Sequence, residues 1–267
     1  MDAAPLQQTE PMPFTPSHAV AILPFARTPL APAALALGSM APDLPYFLPF
    51  GISRDFSHSL PGVPTIDLLV GAVAFLLWVL VLRAPVLDYA PRWLRERMAP
   101  RPKWRIRGRV ISGLTVIAAL EIGILTHLLL DLFTHEGGWL ETVAPWTSDR
   151  IGTFTIANLV HAGVSVVTTL IIAWWVRRWV QRTPRVPRES KLMERERVST
   201  WIMLVLILGI TGLAWWARGI AAGRNPLEMQ LLFISFCVAV ATSGAVGLIL
   251  SIVWHVRHGQ RRSEQHH

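Results

Sequence analysis

Five stretches of the chain are long and apolar enough to cross a hydrocarbon layer: Ile66 to Leu82, Val110 to Phe133, Ile151 to Val176, Trp201 to Ala217 and Leu231 to Trp254. Crossing takes about 20 largely apolar residues, with roughly 17 to 25 tolerated, and each stretch is bounded by charge, proline or glycine. Backbone polar groups in lipid have to be satisfied within their own segment, so such runs form helices. Hydrophobic residues make up 52% of the 267 positions and charged residues 16%, which suits neither a soluble domain nor a disordered chain. The expected fold is all-α: a polytopic membrane protein with about five transmembrane helices over residues 66–254.

Lysine and arginine fix the expected orientation, because positive loops resist translocation. Loops 83–109 and 177–200 and the tail 255–267 hold twenty of them, against five in segment 1–65 and loops 134–150 and 218–230. The N-terminus is therefore expected outside and the tail 255–267 in the cytoplasm. Trp174, Trp175, Trp201 and Trp254 fall near the inner interface on this reading and Trp215 and Trp216 near the outer one, where an amphipathic ring is favoured. The net charge of +8 thus sits in loops that face lipid headgroups, and a nucleic-acid partner is not expected. A single cysteine, Cys237, excludes an intramolecular disulfide and a Cys-x-x-Cys zinc site, so any metal has nitrogen and oxygen ligands. Met1 to Pro16 carries Asp2 and Glu10 and lacks an apolar core, so no cleavable signal peptide is expected. Residues 1–11 read as an unstructured extension.

Ser17 to Met40 is apolar but interrupted by Pro24, Arg27, Pro29 and Pro32. Each interior proline removes a backbone donor and crowds the preceding turn. Two short helices, about 17–26 and 31–40, are expected to form a hairpin against the outer face, within a segment 12–65 that carries metal ligands.

Candidate chemistry concentrates on one line of the second span, from Glu121 through His127 and Asp131 to His135. A spacing of four places His127, Asp131 and His135 in a column on one helical face, about 6 Å apart in rise. Ionisable groups at membrane depth are costly and face a protein interior or water. The segment before the first span supplies His18, Asp43 and His58 on the same side. Imidazole and carboxylate suit Zn, with Mn or Fe as alternatives, and sets from distant segments can close a site with an open position for water. Taken singly, each has a structural reading. His18 suits an interface, Asp43 a turn, His58 a loop carbonyl, the His127–Asp131 pair an interhelical clamp, and His135 a solvated loop; their convergence on one side favours a site. Glu136 and Asp55 are candidates for moving a proton, Glu121 lies off the column, and His161 approaches from the third span.

Pro13-Phe-Thr-Pro-Ser-His18, Gly38-Ser-Met-Ala-Pro-Asp43-Leu-Pro-Tyr-Phe47, Ser57-His58-Ser, His127-Leu-Leu-Leu-Asp131 and Gly138-Trp139 resemble the bacterial membrane protein family known as domain of unknown function 4184. The resemblance covers most of residues 12–180. That family looks like a distant relative of membrane-bound metal-dependent hydrolases. The resemblance implies metal ligands at His18, Asp43, His58, His127 and Asp131, and hydrolysis of a phosphate ester or similar lipid-linked bond in a bacterial inner membrane. Pro45 stands where those hydrolases carry a second aspartate and Ser53 where they carry a first histidine, which weakens a two-metal reading. The expected function is a metal-dependent hydrolase acting on an amphipathic or lipid substrate at the outer face. The rivals are a small proton- or cation-coupled transporter using Asp131, His127, Glu121 and His161, and a non-catalytic scaffold.

Overall fold

The structure, a computed structural model, describes residues 15–25, 28, 30–47, 52–98, 109–134, 139–152 and 154–264. Among them are five helices long and apolar enough to span a membrane: Val63–Tyr89, Gly113–Phe133, Ile156–Arg182, Glu194–Ala221 and Gln230–His258, here spans one to five. They run past the apolar stretches at several ends, because charged terminal residues such as Arg182 and Glu194 continue the hydrogen-bonded turns. Span one stays continuous through Pro85 by widening beforehand: the Arg83 amide reaches back to the Trp78 carbonyl in a π turn, the usual way a helix absorbs a local misfit. The outer surfaces are apolar, with Leu80, Val205 and Ile210 each more than 60% exposed. Such surface is tolerated where lipid covers it.

Where a hairpin against the outer face is expected, a 3-10 helix Thr15–Phe25 and an α-helix Pro32–Gly38 form a hairpin that is instead inserted beside the spans, because its apolar residues pack with spans one and two. It lies alongside the bundle over much of its length. Ala31, Ala34 and Leu35 pack with Phe75 of span one and Ala119 and Leu120 of span two, while Ile22 and Phe25 pad the same cluster. Ile22 and Leu23 also share a cavity with Trp175 and Trp179 of span three and with Leu94 and Arg97. The chain then turns back, so that Asp43 returns to the end of the bundle where His18 began. A segment that enters and returns is compatible with a membrane when protein surrounds it.

Packing against span two is backbone on backbone. A Cβ added at Gly38 would lie 2.3 Å from the Leu120 carbonyl oxygen, and one at Gly123 would lie 2.3 Å from that of Leu35. Ala34 with Gly38 and Ala119 with Gly123 are small residues four apart, the spacing that lets two helices approach within a membrane.

The three basic segments meet at one end. Arg97 donates to the carbonyls of Val180 and Thr183, and Arg95 to that of Arg188. Asp88 accepts from Ser190 Oγ at 2.9 Å, the Lys191 amide at 3.1 Å and Trp254 Nε1 at 2.9 Å. Residues 88–97, residues 180–191 and Trp254 of span five therefore lie at the same end, as the charge count requires. At the opposite end a two-residue antiparallel pairing, Arg150–Ile151 with Phe154–Thr155, turns the chain into span three, whose first turn is capped by the Thr155 hydroxyl.

Candidate metal centre

Five side chains from four segments converge at the end of the bundle away from the basic loops. His18 comes from the first hairpin helix, Asp43 from the turn Ala41–Phe47, His58 from just after the helix Arg54–Ser57, and His127 and Asp131 from span two. Pro42 and Pro45 flank Asp43 and preset its tight 3-10 turn. His18, Asp43 and His127 are each at most 1% exposed.

The distances define the geometry. His58 Nε2 and His127 Nε2 are 3.4 Å apart, and Asp131 Oδ2 lies 3.3 Å from the former and 3.4 Å from the latter. This is a nearly equilateral triangle. Ligand bonds of about 2.0 to 2.1 Å in tetrahedral array leave the donor atoms roughly 3.3 to 3.4 Å apart, so the triangle has the size of one face around a zinc-sized ion. Asp43 Oδ1, 3.4 Å from His58 Nε2 and 3.7 Å from His127 Nε2, stands at a fourth corner. At these separations neither oxygen of Asp43 accepts a well-aligned hydrogen bond among the described residues. A buried carboxylate in that condition calls for a cation.

The far sides of the imidazoles are tied to the scaffold. His127 Nδ1 lies 2.8 Å from the Ser39 carbonyl oxygen, which can only accept, so this nitrogen carries a proton and, in the neutral ring, Nε2 presents its lone pair. His58 Nδ1 pairs with Ser57 Oγ at 3.1 Å, again leaving Nε2 inward. His18 stacks on His127, with ring centroids 4.1 Å apart, and its Nε2 is 2.9 Å from Asp131 Oδ1. It thus holds the oxygen of Asp131 that points away from the triangle. His18, Asp43 and His127 also form a second ligand-sized group overlapping the first.

Charge is concentrated here. Burial disfavours an imidazolium at His58, but contacts with Asp131 and Asp43 outweigh it and raise its pKa to about 9. Burial likewise works to raise the pKa of Asp43, and the contact with His58 and the charge of His127 bring it below the ordinary carboxylate value. Tyr46 and Phe233 of span five, packed edge to face at 6.0 Å, close the flank beside His58.

Of the ligands named from sequence, His18, Asp43, His58, His127 and Asp131 come together; His135 and Glu136 lie outside the described residues. Asp55 is exposed, and neither Glu121 nor His161 belongs to a ligand group among the described residues. Two features escaped the sequence reading. One is the backbone approach at Gly38 and Gly123 that brings Ser39 to His127, legible as paired small residues four apart. The other is Asp67, a fully buried carboxylate in span one on which His58 and His127 act electrostatically. A lone acid opening an apolar run was the available signal.

The profile of a family described as a domain of unknown function, number 4184, matches residues 12–253, nearly the whole chain. No curated protein and no solved structure is similar enough to match. The match runs through the hairpin, the converging residues and all five spans, and on that extent the chain belongs to the family of domain of unknown function 4184.

Proposed function

We propose that this multi-pass membrane protein holds a divalent metal ion, zinc by its donor set and dimensions, between His58, His127, Asp131 and Asp43, and hydrolyses a phosphate-ester or lipid-like substrate there. The observation that carries the reading is the triangle of Nε2, Nε2 and Oδ2 atoms 3.3 to 3.4 Å on an edge. A bound ion of this kind lowers the pKa of a coordinated water toward about 7 and polarises the scissile centre. The chain's own groups do the rest: His18 orients Asp131, and Ser39 and Ser57 fix the imidazoles.

The substrate class follows from the surroundings. Leu129, Leu132 and Phe133, within two residues of Asp131 along span two, are exposed apolar side chains. Apolar surface at the same level of the span as the cluster supports a substrate with an acyl portion. The excess of lysine and arginine at the opposite end supports an orientation in which the cluster faces outward from a bacterial cytoplasmic membrane, with the N-terminus outside and the C-terminus in the cytoplasm.

The test is metal analysis of purified protein, wild type against Asp131→Ala, followed by assay of phosphodiester and phospholipid probes. About one equivalent of zinc in the wild type, lost in the variant, and hydrolysis that disappears on chelation are expected. A wild type that neither retains nor takes up a divalent ion overturns the reading.

A further inference from the structure

We infer that Asp67 is the carboxylate that holds, and takes a proton from, the water of this centre. The inference rests on the metal-site reading above and assigns a role to a residue outside the ligand set.

Val63, Asp67, Gly71 and Phe75 recur every four residues and are buried, so they form the face that span one turns toward span two and the hairpin. Val63 packs with Ala41 and Ile124. At Gly71 an added Cβ would meet Leu120 at 3.2 Å and Ala41 at 3.4 Å. Asp67 lies between these two positions. It therefore faces the stretch from Ala41 to Asp43 and the turn of span two that carries Ile124 and His127.

Its carboxylate is buried without a hydrogen-bond partner among the described residues: Asp67 is 0% exposed, and neither oxygen has one. The helix begins there with a π turn, the Asp67 amide bonding to the Gly62 carbonyl at 3.1 Å, a distortion frequent at functional sites. Gly62 leaves the acid room, since a Cβ there would lie 3.2 Å from Asp67 Oδ2. A buried carboxylate with both oxygens empty is costly in a membrane interior and marks function by default.

Charge arithmetic assigns the task. Asp43 and Asp131 would neutralise one divalent ion, and Asp67 is a third buried carboxylate, near enough for His58 and His127 to act on it electrostatically. As base, Asp67 accepts one proton from water; the O–H electron pair stays on the oxygen, which attacks the phosphorus or carbonyl centre. The bond to the leaving oxygen breaks, and Asp67 returns the proton to it. Water has then added across one ester bond, with no oxidant or reductant required.

The experiment replaces the native ion by Co²⁺ and titrates azide, which competes with the water, by visible absorption in wild type, Asp67→Asn and Asp67→Glu. Asp67→Asn should bind Co²⁺ within about threefold of wild type, because it is not a ligand. Its azide affinity should rise about tenfold or more, as the neighbouring charge is gone, while Asp67→Glu, which keeps the charge, should stay near wild type. Removing an unpaired buried charge should not impair folding, and an unchanged or higher Tm checks this. Unchanged azide affinity in Co²⁺-loaded Asp67→Asn overturns the inference and leaves the metal site standing. Loss of Co²⁺ comparable to Asp131→Asn overturns it by making Asp67 a ligand. Failure of the wild type to bind Co²⁺ removes the metal-site reading and this inference with it.

Discussion

His127 Nδ1 lies 2.8 Å from the carbonyl oxygen of Ser39, a residue 88 positions earlier in the chain. That contact exists because the hairpin approaches span two at backbone distance through Gly38 and Gly123. Gly123→Ala should therefore disturb the site from its rear: a methyl 2.3 Å from the Leu35 oxygen forces the two helices apart. Overpacking of this kind costs about 1 to 3 kcal/mol, and metal affinity should fall at least tenfold. Gly163→Ala, with nothing within 4 Å, is the control and should leave metal binding unchanged. Metal titration and melting of both variants check the pair.

Removal of a ligand should cost more than removal of a support. His127→Ala and Asp43→Asn should purify with less than about a tenth of the wild-type metal, whereas Asp55→Asn, at an exposed position, should retain it. Elemental analysis after gel filtration decides between these outcomes.

His18→Gln belongs to the intermediate class. The variant loses the stack on His127 and the contact with Asp131 Oδ1 but none of the four corners. Partners behind metal ligands are typically worth 10- to 100-fold in affinity, and competition with a zinc chelator should give a value in that range. A loss as complete as that of His127→Ala would make His18 a ligand instead.

At the other end of the molecule Asp88 ties the connector after span three to spans one and five. Asp88→Ala leaves three donors without their acceptor and should cost about 1 to 3 kcal/mol. It should also open residues 184–193 to protease while metal content stays at the wild-type level. Limited proteolysis beside metal analysis separates this structural role from one at the centre.

The sidedness prediction uses the same network. With Cys237→Ala as background, single cysteines at Arg92 and Glu189 should be shielded from a membrane-impermeant thiol reagent in intact cells, and cysteines at Thr142 and Asn225 should react. Reaction of Arg92 and Thr142 positions from the same side would contradict the arrangement of five spans.

Span number was legible in the chain because a hydrocarbon layer imposes one requirement, length of apolar helix, that local sequence satisfies or fails by itself. The shared end of the three basic segments was legible for a similar reason, since lysine and arginine act on topology through their count in each loop. The helical spacing of His127 and Asp131 showed that they share a face. The side of the chain on which they lie and the family resemblance named His18, Asp43 and His58 as their partners, but the distances at which they meet were a tertiary decision. His18, Asp43 and His58 belong to short irregular segments whose positions depend on how closely the hairpin docks, and two glycines with their alanine neighbours set that distance. Asp67 entered the pocket the same way: in sequence it is one acid at the edge of an apolar run, and only the packing of Val63 and Gly71 against the hairpin turns it inward. Periodicity tells which residues share a helical face, whereas the packing of separate segments determines what that face meets.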